Sequence, residues 1–439
     1  MSALAILVVT MASPLLAQET LGEPEESVIH YHSSEGLADP VALLQKRLTD
    51  GAVKLRFDPV RGYLPALLEA LRIPSSSQVL VFSKTSSQSE QTSPRTPRAI
   101  YFADDVSVGW VPGGPVIDLA AVDPRRGPIF YTLEQSADGP RFARPANCLQ
   151  CHLGPRTINV PGLLVRSVYT ASNGTPLAQV QGFVNGHNSG LEERWGGWYV
   201  TGKFPGIHLG NIFATNLEHP EHVELSSTAD VTDLKNRFES SRYLTPHSDI
   251  VALLVLEHEV RMQNLITRAN YETRYALEDR AERARNHEPK DFSGSKSGTS
   301  SNADGKLSEW EEQRIAAAGE MLLEYMLFRN EAPLKRTIEG TSGFAEEFQN
   351  GGPRAGNGRS LRQLDLHTRL LRYPCSFLVY SPAFDALPQE MRNYLWRRLE
   401  QILTGQDRSG TYATMAVQDR QNVLEILRET KPEFAGWLK

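Results

Sequence analysis

The stretch AIYFADDVSVGW (residues 99–110) contains two runs rich in β-branched and aromatic residues, 99–102 and 106–110. Such residues favour β-strands. Runs of the same kind occur at 79–82, 116–119 and 129–131. Turn-forming pairs such as Gly113-Gly114 and Asp123-Pro124 separate the runs. We therefore predict a β-rich N-terminal half.

The chain becomes helical in character after residue 225. The clearest predicted helix opens near Thr245-Pro246-His247 and runs to about residue 285, with Thr245 as its N-cap and Pro246 at its first position. The segment 250–256 is apolar on every side, which indicates burial. Further helices are predicted at about 306–329, 359–372, 387–403 and 416–430. The predicted fold class is α+β, with a β-rich N-terminal half and a mainly helical C-terminal half.

The chain divides by composition into a β-rich region (18–225) and a helical region (226–439). Residues 286–305 are poor in hydrophobic side chains and are predicted to form a flexible loop. The formal net charge of −6 over 439 residues is mild. It favours neither nucleic acid nor an anionic membrane surface as a partner.

The first 17 residues predict export. An apolar run covers 3–16 and ends at Ala17, and a polar stretch begins at Gln18. This pattern is typical of a secretory signal peptide cleaved after Ala17, although no lysine or arginine precedes the run. An uncleaved anchor is the alternative, but a transmembrane helix needs about 20 apolar residues. We expect a periplasmic or otherwise exported mature chain with no transmembrane span.

Two of the three cysteines lie in Cys148-Leu149-Gln150-Cys151-His152. This CxxCH pattern is that of c-type haem attachment. Two thiols three residues apart on one helical turn can each add to a vinyl group of the same porphyrin, and the adjoining histidine can supply an axial nitrogen to the iron. The motif predicts one covalent haem c on Cys148 and Cys151, with His152 as the proximal ligand.

A thioredoxin-like redox pair and half of a zinc site are the rival interpretations of the two cysteines. A redox CxxC is expected beside a βαβ pattern, which residues 140–160 lack. A zinc site needs further clustered cysteine or histidine residues, and the chain has no second CxxC. The remaining cysteine, Cys375, has apolar neighbours and is predicted to be a buried thiol.

The sixth position on the iron has several candidate ligands: His258, His208, His187, His247 and Met262. His258 comes first because it lies on an apolar stripe of the long predicted helix, where an imidazole needs a partner for its nitrogens. His208 follows because it lies in a loop that could cover a haem face. An empty or water-filled position is the remaining alternative.

The sixth position separates the functional hypotheses. With both axial positions filled, the protein would be an electron carrier that cycles between Fe(III) and Fe(II) and acts with an unidentified redox partner protein. With an open or displaceable position, it would be a haem oxidoreductase of peroxidase-like or dehydrogenase-like type. A partner-binding protein with a purely structural haem is the third hypothesis.

The segment 147–152 resembles the haem-binding signature of the cytochrome c superfamily. This resemblance implies covalent haem, His152 as proximal ligand and electron transfer. More of the chain looks like large bacterial exported proteins that carry one such haem, a group without a settled reaction. The stretches that carry this second likeness are 81–85, 194–202, 247–268 and 373–388. The β-rich segments before the haem motif distinguish the chain from small cytochromes.

Overall fold

A computed structural model gives the architecture. It describes residues 24, 26–177, 182–204, 206–214, 230–287 and 306–438. The predicted signal peptide (1–17) lies outside the described residues, and so does the predicted loop 286–305 apart from its first two residues.

The N-terminal half is built on an antiparallel sheet of seven strands in the order β6-β5-β4-β3-β2-β1-β9. Strands β7 and β8 form a separate two-stranded sheet. The strands are β1 (Val79–Val81), β2 (Arg98–Ala103), β3 (Val106–Trp110), β4 (Val116–Asp123), β5 (Gly127–Glu134), β6 (Phe142–Ala143), β7 (Arg166–Ser167), β8 (Phe183–Val184) and β9 (Trp198–Tyr199). All five predicted N-terminal runs are strands of the large sheet.

Helices occupy the C-terminal half and flank the sheet. Those before the sheet are α1 (Glu26–Ile29), α2 (Pro40–Thr49) and α3 (Leu64–Leu71), and α4 (Leu149–His152) follows β6. The C-terminal helices are α5 (Ile250–His287), α6 (Glu309–Met326), α7 (Phe344–Asn350), α8 (Pro382–Asp385), α9 (Gln389–Leu403), α10 (Val417–Thr430) and α11 (Pro432–Trp437). The predicted α+β class is confirmed.

The two faces of the sheet pack against different helices because side chains alternate along a strand. Tyr101 lies in a core shared with α2 and α3, whereas its neighbour Phe102 lies in a core shared with α5. The register aligns Phe102 with Ser107, Ala120 and Phe130 across β2 to β5. Phe130 therefore lies on the same face of the sheet as α5.

Helix α5 is the centre of the larger core. Its first seven residues, 250–256, are all buried, as predicted from the apolar run. The helix packs against α6 and β5 and contacts α7, α8 and α9. No helix among the described residues has the length and apolar character needed to span a bilayer.

The start of α5 corrects the prediction of Thr245 as its N-cap. The helix begins at Ile250, and the Asp249 carboxylate accepts hydrogen bonds from the backbone N–H groups of Val251 (2.8 Å) and Ala252 (3.2 Å). The other carboxylate oxygen of Asp249 accepts from Thr341 N (2.6 Å) and Ser342 N (2.8 Å). Asp249 therefore both caps α5 and anchors a distant loop.

The predicted helix at 359–372 is wrong. Asp365 Oδ1 accepts hydrogen bonds from the backbone of His367 and Thr368, both at 2.8 Å. Leu366 has a φ of 59°, and Leu364 pairs with Leu371 in an isolated bridge. The side chain of Asp365 thus stabilises a turn in place of a helical backbone. The short helix α7 was not predicted.

We expect Asp249→Ala to lower the free energy of unfolding by about 2 kcal/mol or more, because it removes an N-cap and leaves buried donors unpaired. Urea unfolding measures the change. Asp138 is exposed and serves as the control, for which Asp138→Ala should cost less than about 0.5 kcal/mol. Equal stability of the two variants would contradict the assigned role of Asp249.

Candidate haem attachment site

The CxxCH segment forms one compact turn after β6. A 3₁₀ turn covers Ala146–Cys148, and α4 continues it through Leu149–His152. Cys148 is half-buried, Cys151 is exposed, and neither forms a disulfide. Because positions three apart are neighbours on a helical surface, the two thiols lie on one side of the turn. This placement leaves both sulfurs available for thioether bonds.

His152 is locked to Gly162 by two hydrogen bonds. Its ring Nδ1 lies 2.8 Å from the Gly162 carbonyl oxygen, and Gly162 N donates to the His152 carbonyl at 2.8 Å. A carbonyl only accepts, so Nδ1 carries the proton and Nε2 holds the lone pair. Burial lowers the pKa of His152 and keeps the ring neutral. A neutral imidazole with its Nδ1–H on a carbonyl is the form in which histidine binds metals.

Helix α5 holds the segment that carries Gly162. The Asn264 side chain accepts from Leu163 N (2.9 Å) and donates to Leu163 O (2.8 Å). One turn further along α5, the Arg268 guanidinium donates to Ile158 O at 2.7 Å. These contacts tie the backbone of Leu163 and of Ile158 to the buried helix α5. The orientation of His152 is therefore set from α5.

Gly162 lies too close to its neighbours to carry a side chain. A Cβ at this position would lie 2.6 Å from Asn264 Oδ1 and 2.9 Å from Thr157 Cβ. Real Cβ atoms do not approach other atoms so closely. The close approach lets the Gly162 carbonyl reach the His152 ring, since any larger residue would push the loop away from α5.

The sheet supplies the surface beneath the motif. The His152 ring packs against Phe130 with 4.5 Å between the ring centroids. Near it, Arg98 and Asp118 form an ion pair at 3.0 Å, each side chain 19% exposed. Arg98 disfavours a positive charge on His152 and Asp118 favours one, and both effects are smaller than that of burial. The motif thus lies on the α5 face of the sheet.

His258, the first predicted distal ligand, is fully buried with a hydrogen bond on each ring nitrogen. Its Nδ1 lies 3.0 Å from His187 Nδ1, and its Nε2 lies 2.8 Å from Ser376 Oγ. The rings of Phe328 and Tyr325 stack on it with centroid distances of 4.4 and 5.4 Å. Burial lowers its pKa to about 3. Ligation of iron by His258 would require the loss of one of these hydrogen bonds.

The other distal candidates occupy separate surroundings. His187 pairs with His258, while His208 is buried beside Trp195 and accepts a hydrogen bond from Gly210 N at 3.0 Å. His247 Nδ1 lies 3.1 Å from Thr232 O, and Met262 is fully buried in the core. Among the distal candidates, the fold brings the side chains of His187 and His258 into direct contact.

A buried ion pair beside the two histidines was missing from the sequence predictions. Arg194 Nη1 lies 2.8 Å from Glu257 Oε2, with side chains 2% and 0% exposed. Asn185 donates to the other oxygen of Glu257 at 2.8 Å. The one signal in the sequence is the triplet Glu257-His258-Glu259, which places polar residues within an otherwise apolar helix. A buried charge needs a partner, but spacing alone does not identify it.

Within the described residues, no group of three or more His, Cys, Asp and Glu side chains is arranged to hold a metal ion. A haem iron needs few protein ligands, because the porphyrin supplies four nitrogens.

Cys375 is fully buried as predicted, and burial raises the pKa of its thiol to about 12. A thiol with so high a pKa is a poor nucleophile.

We expect Gly162→Ala and Asn264→Ala each to lower the free energy of unfolding by about 1–3 kcal/mol, the first through steric overlap and the second through lost hydrogen bonds. The double variant should cost less than the sum, since Asn264→Ala removes the atom that the new methyl group meets. Urea unfolding of the four proteins measures this. Gly436→Ala, with open space around its Cβ, is the control. If the losses of stability in the two single variants add up to the loss in the double variant, the close contact between Gly162 and Asn264 is contradicted.

Comparison with known proteins assigns this chain to no family. No family model matches it. No curated protein and no solved structure is significantly similar to it. The function of the Cys148–His152 turn must therefore be inferred from the geometry of this chain itself.

Proposed function

We propose that this protein is an exported c-type cytochrome. One haem c is bound covalently through Cys148 and Cys151, and His152 Nε2 is the proximal ligand of its iron. The observation that carries the proposal is the bond between His152 Nδ1 and the Gly162 carbonyl at 2.8 Å, on the same turn as two unpaired thiols. Residues that hold the ring neutral and leave Nε2 unprotonated fit an iron porphyrin.

The bound haem supplies one-electron chemistry between Fe(III) and Fe(II). The chain's own residues orient the His152 imidazole and form its surroundings. Gly162 fixes the tautomer of His152, and Phe130 packs against the ring. Attachment to the two cysteines fits an exported protein, because haem c is attached outside the cytoplasm. We propose electron exchange with a redox partner protein as the function.

A haem oxidoreductase with an open sixth position is the second candidate. The observation that favours it is the pairing of both His258 nitrogens, with His187 and with Ser376. An imidazole that already has two hydrogen bonds gains less free energy from binding iron than an imidazole with an unpaired nitrogen. With the sixth position open, a small molecule could reach the iron.

Replacing both attachment cysteines tests the cofactor. In the Cys148→Ala/Cys151→Ala variant the haem should separate from the polypeptide after denaturation, because no thioether bond remains. The absorbance of the denatured chain after gel filtration measures attachment. Cys375→Ala is the matched control and should keep its haem, since that thiol is buried in the core. Full retention in the double variant would contradict the proposed site.

The spectra of distal variants separate the two candidate functions. If His258 is the sixth ligand, His258→Ala should shift the reduced spectrum and raise the affinity for carbon monoxide, while His208→Ala should change neither. Ser376→Ala removes a hydrogen-bond partner of His258 and the acceptor of Leu378 N while leaving the imidazole in place, and it is the control for a structural role. A spectral change in His208→Ala alone would move the ligand to the 208 loop. No change in either variant favours the oxidoreductase.

A further inference from the structure

A pocket of about 420 Å³ opens beside the segment that follows the haem motif. Pro155 and Arg156 form one wall, and Arg261 of α5, with Tyr325 of α6, forms another. The loop after β8 contributes Asn185 to the lining. Pro155 is only three residues beyond His152. The volume falls within the range of sites that bind small molecules.

Positive charge dominates the lining. Arg329 is already engaged, by Glu324 at 2.9 Å and by the Thr411 carbonyl at 2.9 Å. Arg156 and Arg261, in contrast, have no hydrogen bond or ion pair to any part of the chain that the structure describes. With Glu324 as the acidic counterpart, three arginines and one glutamate leave two positive charges uncompensated at the pocket.

Arg261 is the more informative of the two unpaired cations. Its side chain is partly buried on α5, and burial lowers its pKa. A guanidinium carries only donors, so without a protein acceptor it turns to water or to a bound anion for its hydrogen bonds. None of its nitrogens is sealed from solvent-accessible space, so the guanidinium is open to the pocket. A bound anion would supply the missing acceptor.

The remaining lining limits the kind of anion. Val184, Leu265 and Met321 present apolar surface, and Asn188 and Asn330 add amide groups. The planar fork of an arginine matches the two oxygens of a carboxylate. Apolar surface beside such a fork suits a short carbon skeleton more than a bare inorganic ion.

We propose that this pocket binds a small organic anion through its carboxylate, held between Arg261 and Arg156. The site is built entirely from protein side chains, so binding does not require the haem. A role for the anion in the chemistry of the haem would be a further claim, and that claim rests on the proposed function. Because Pro155 and Arg156 line the pocket, a bound anion would lie beside the segment that follows the motif.

Isothermal titration calorimetry of the full haem-loaded protein with malonate tests the site at low ionic strength. We expect saturable binding of malonate, weaker binding of inorganic phosphate, and no binding of the neutral analogue malonamide. Arg261→Gln should reduce malonate affinity about tenfold or more, as expected for loss of a charge-assisted hydrogen bond. Arg156→Gln should reduce it less, since this side chain is exposed.

Matched variants keep the result interpretable. Arg261→Lys retains the charge and should bind malonate with intermediate affinity, which separates loss of the anion contact from loss of folding. Arg336→Gln changes an exposed arginine outside the pocket and should leave affinity unchanged. Unaltered affinity in Arg261→Gln, or equal binding of malonamide, would overturn the site. If phosphate binds with the same affinity as malonate, the proposal that the pocket recognises a carboxylate is wrong.

The same titration on the Cys148→Ala/Cys151→Ala protein distinguishes this proposal from the haem assignment. Malonate binding that survives without covalent haem supports a site made by the protein alone. Haem that remains covalently bound in a protein unable to bind malonate would reject the pocket and leave the cytochrome assignment intact.

Discussion

Burial of helix α5 between the sheet and the C-terminal helices is the constraint on which the rest of the structure depends. Its opening residues, 250–256, are buried on every side, and the Asp249 carboxylate secures its N-terminus. Burial of these apolar side chains fixes the rotation of α5 about its axis and its position along that axis. Its polar side chains then project to defined places. Asn264 and Arg268 bind the backbone of Leu163 and Ile158, in the segment that follows the CxxCH motif.

This arrangement explains how a short turn gains a fixed geometry. Residues 149–152 form a single helical turn, which is too short to be stable alone. The turn is held by Phe130 from the sheet and by Gly162 from a loop that α5 anchors. A proximal histidine placed in this way would keep its orientation when the iron changes oxidation state. Helix α5 also carries Arg261, which connects the same element to the proposed anion pocket.

The sequence predicted elements whose cause is local and missed those whose cause is distant. Strands such as 99–102 and the buried run 250–256 follow from side-chain type and spacing. The start of α5 at residue 250 depends on Asp249 binding a loop near residue 341, and the turn at 359–372 depends on one aspartate side chain. The CxxCH motif was evident, but Gly162 and Asn264 were not, because their contacts span 10 and 101 residues. Likewise, spacing placed His258 in the core without identifying His187 and Ser376 as its partners.

The mass of the intact mature protein after denaturation tests the central claim most directly. We predict the mass of a chain beginning at Gln18 plus one haem, because the proposed thioether bonds would survive denaturation and the proposed leader would be removed on export. The spectrum of the same sample should be that of a haem with both vinyl groups saturated. The mass of the bare polypeptide, with no bound haem in a sample expressed where haem c is attached, would contradict the account.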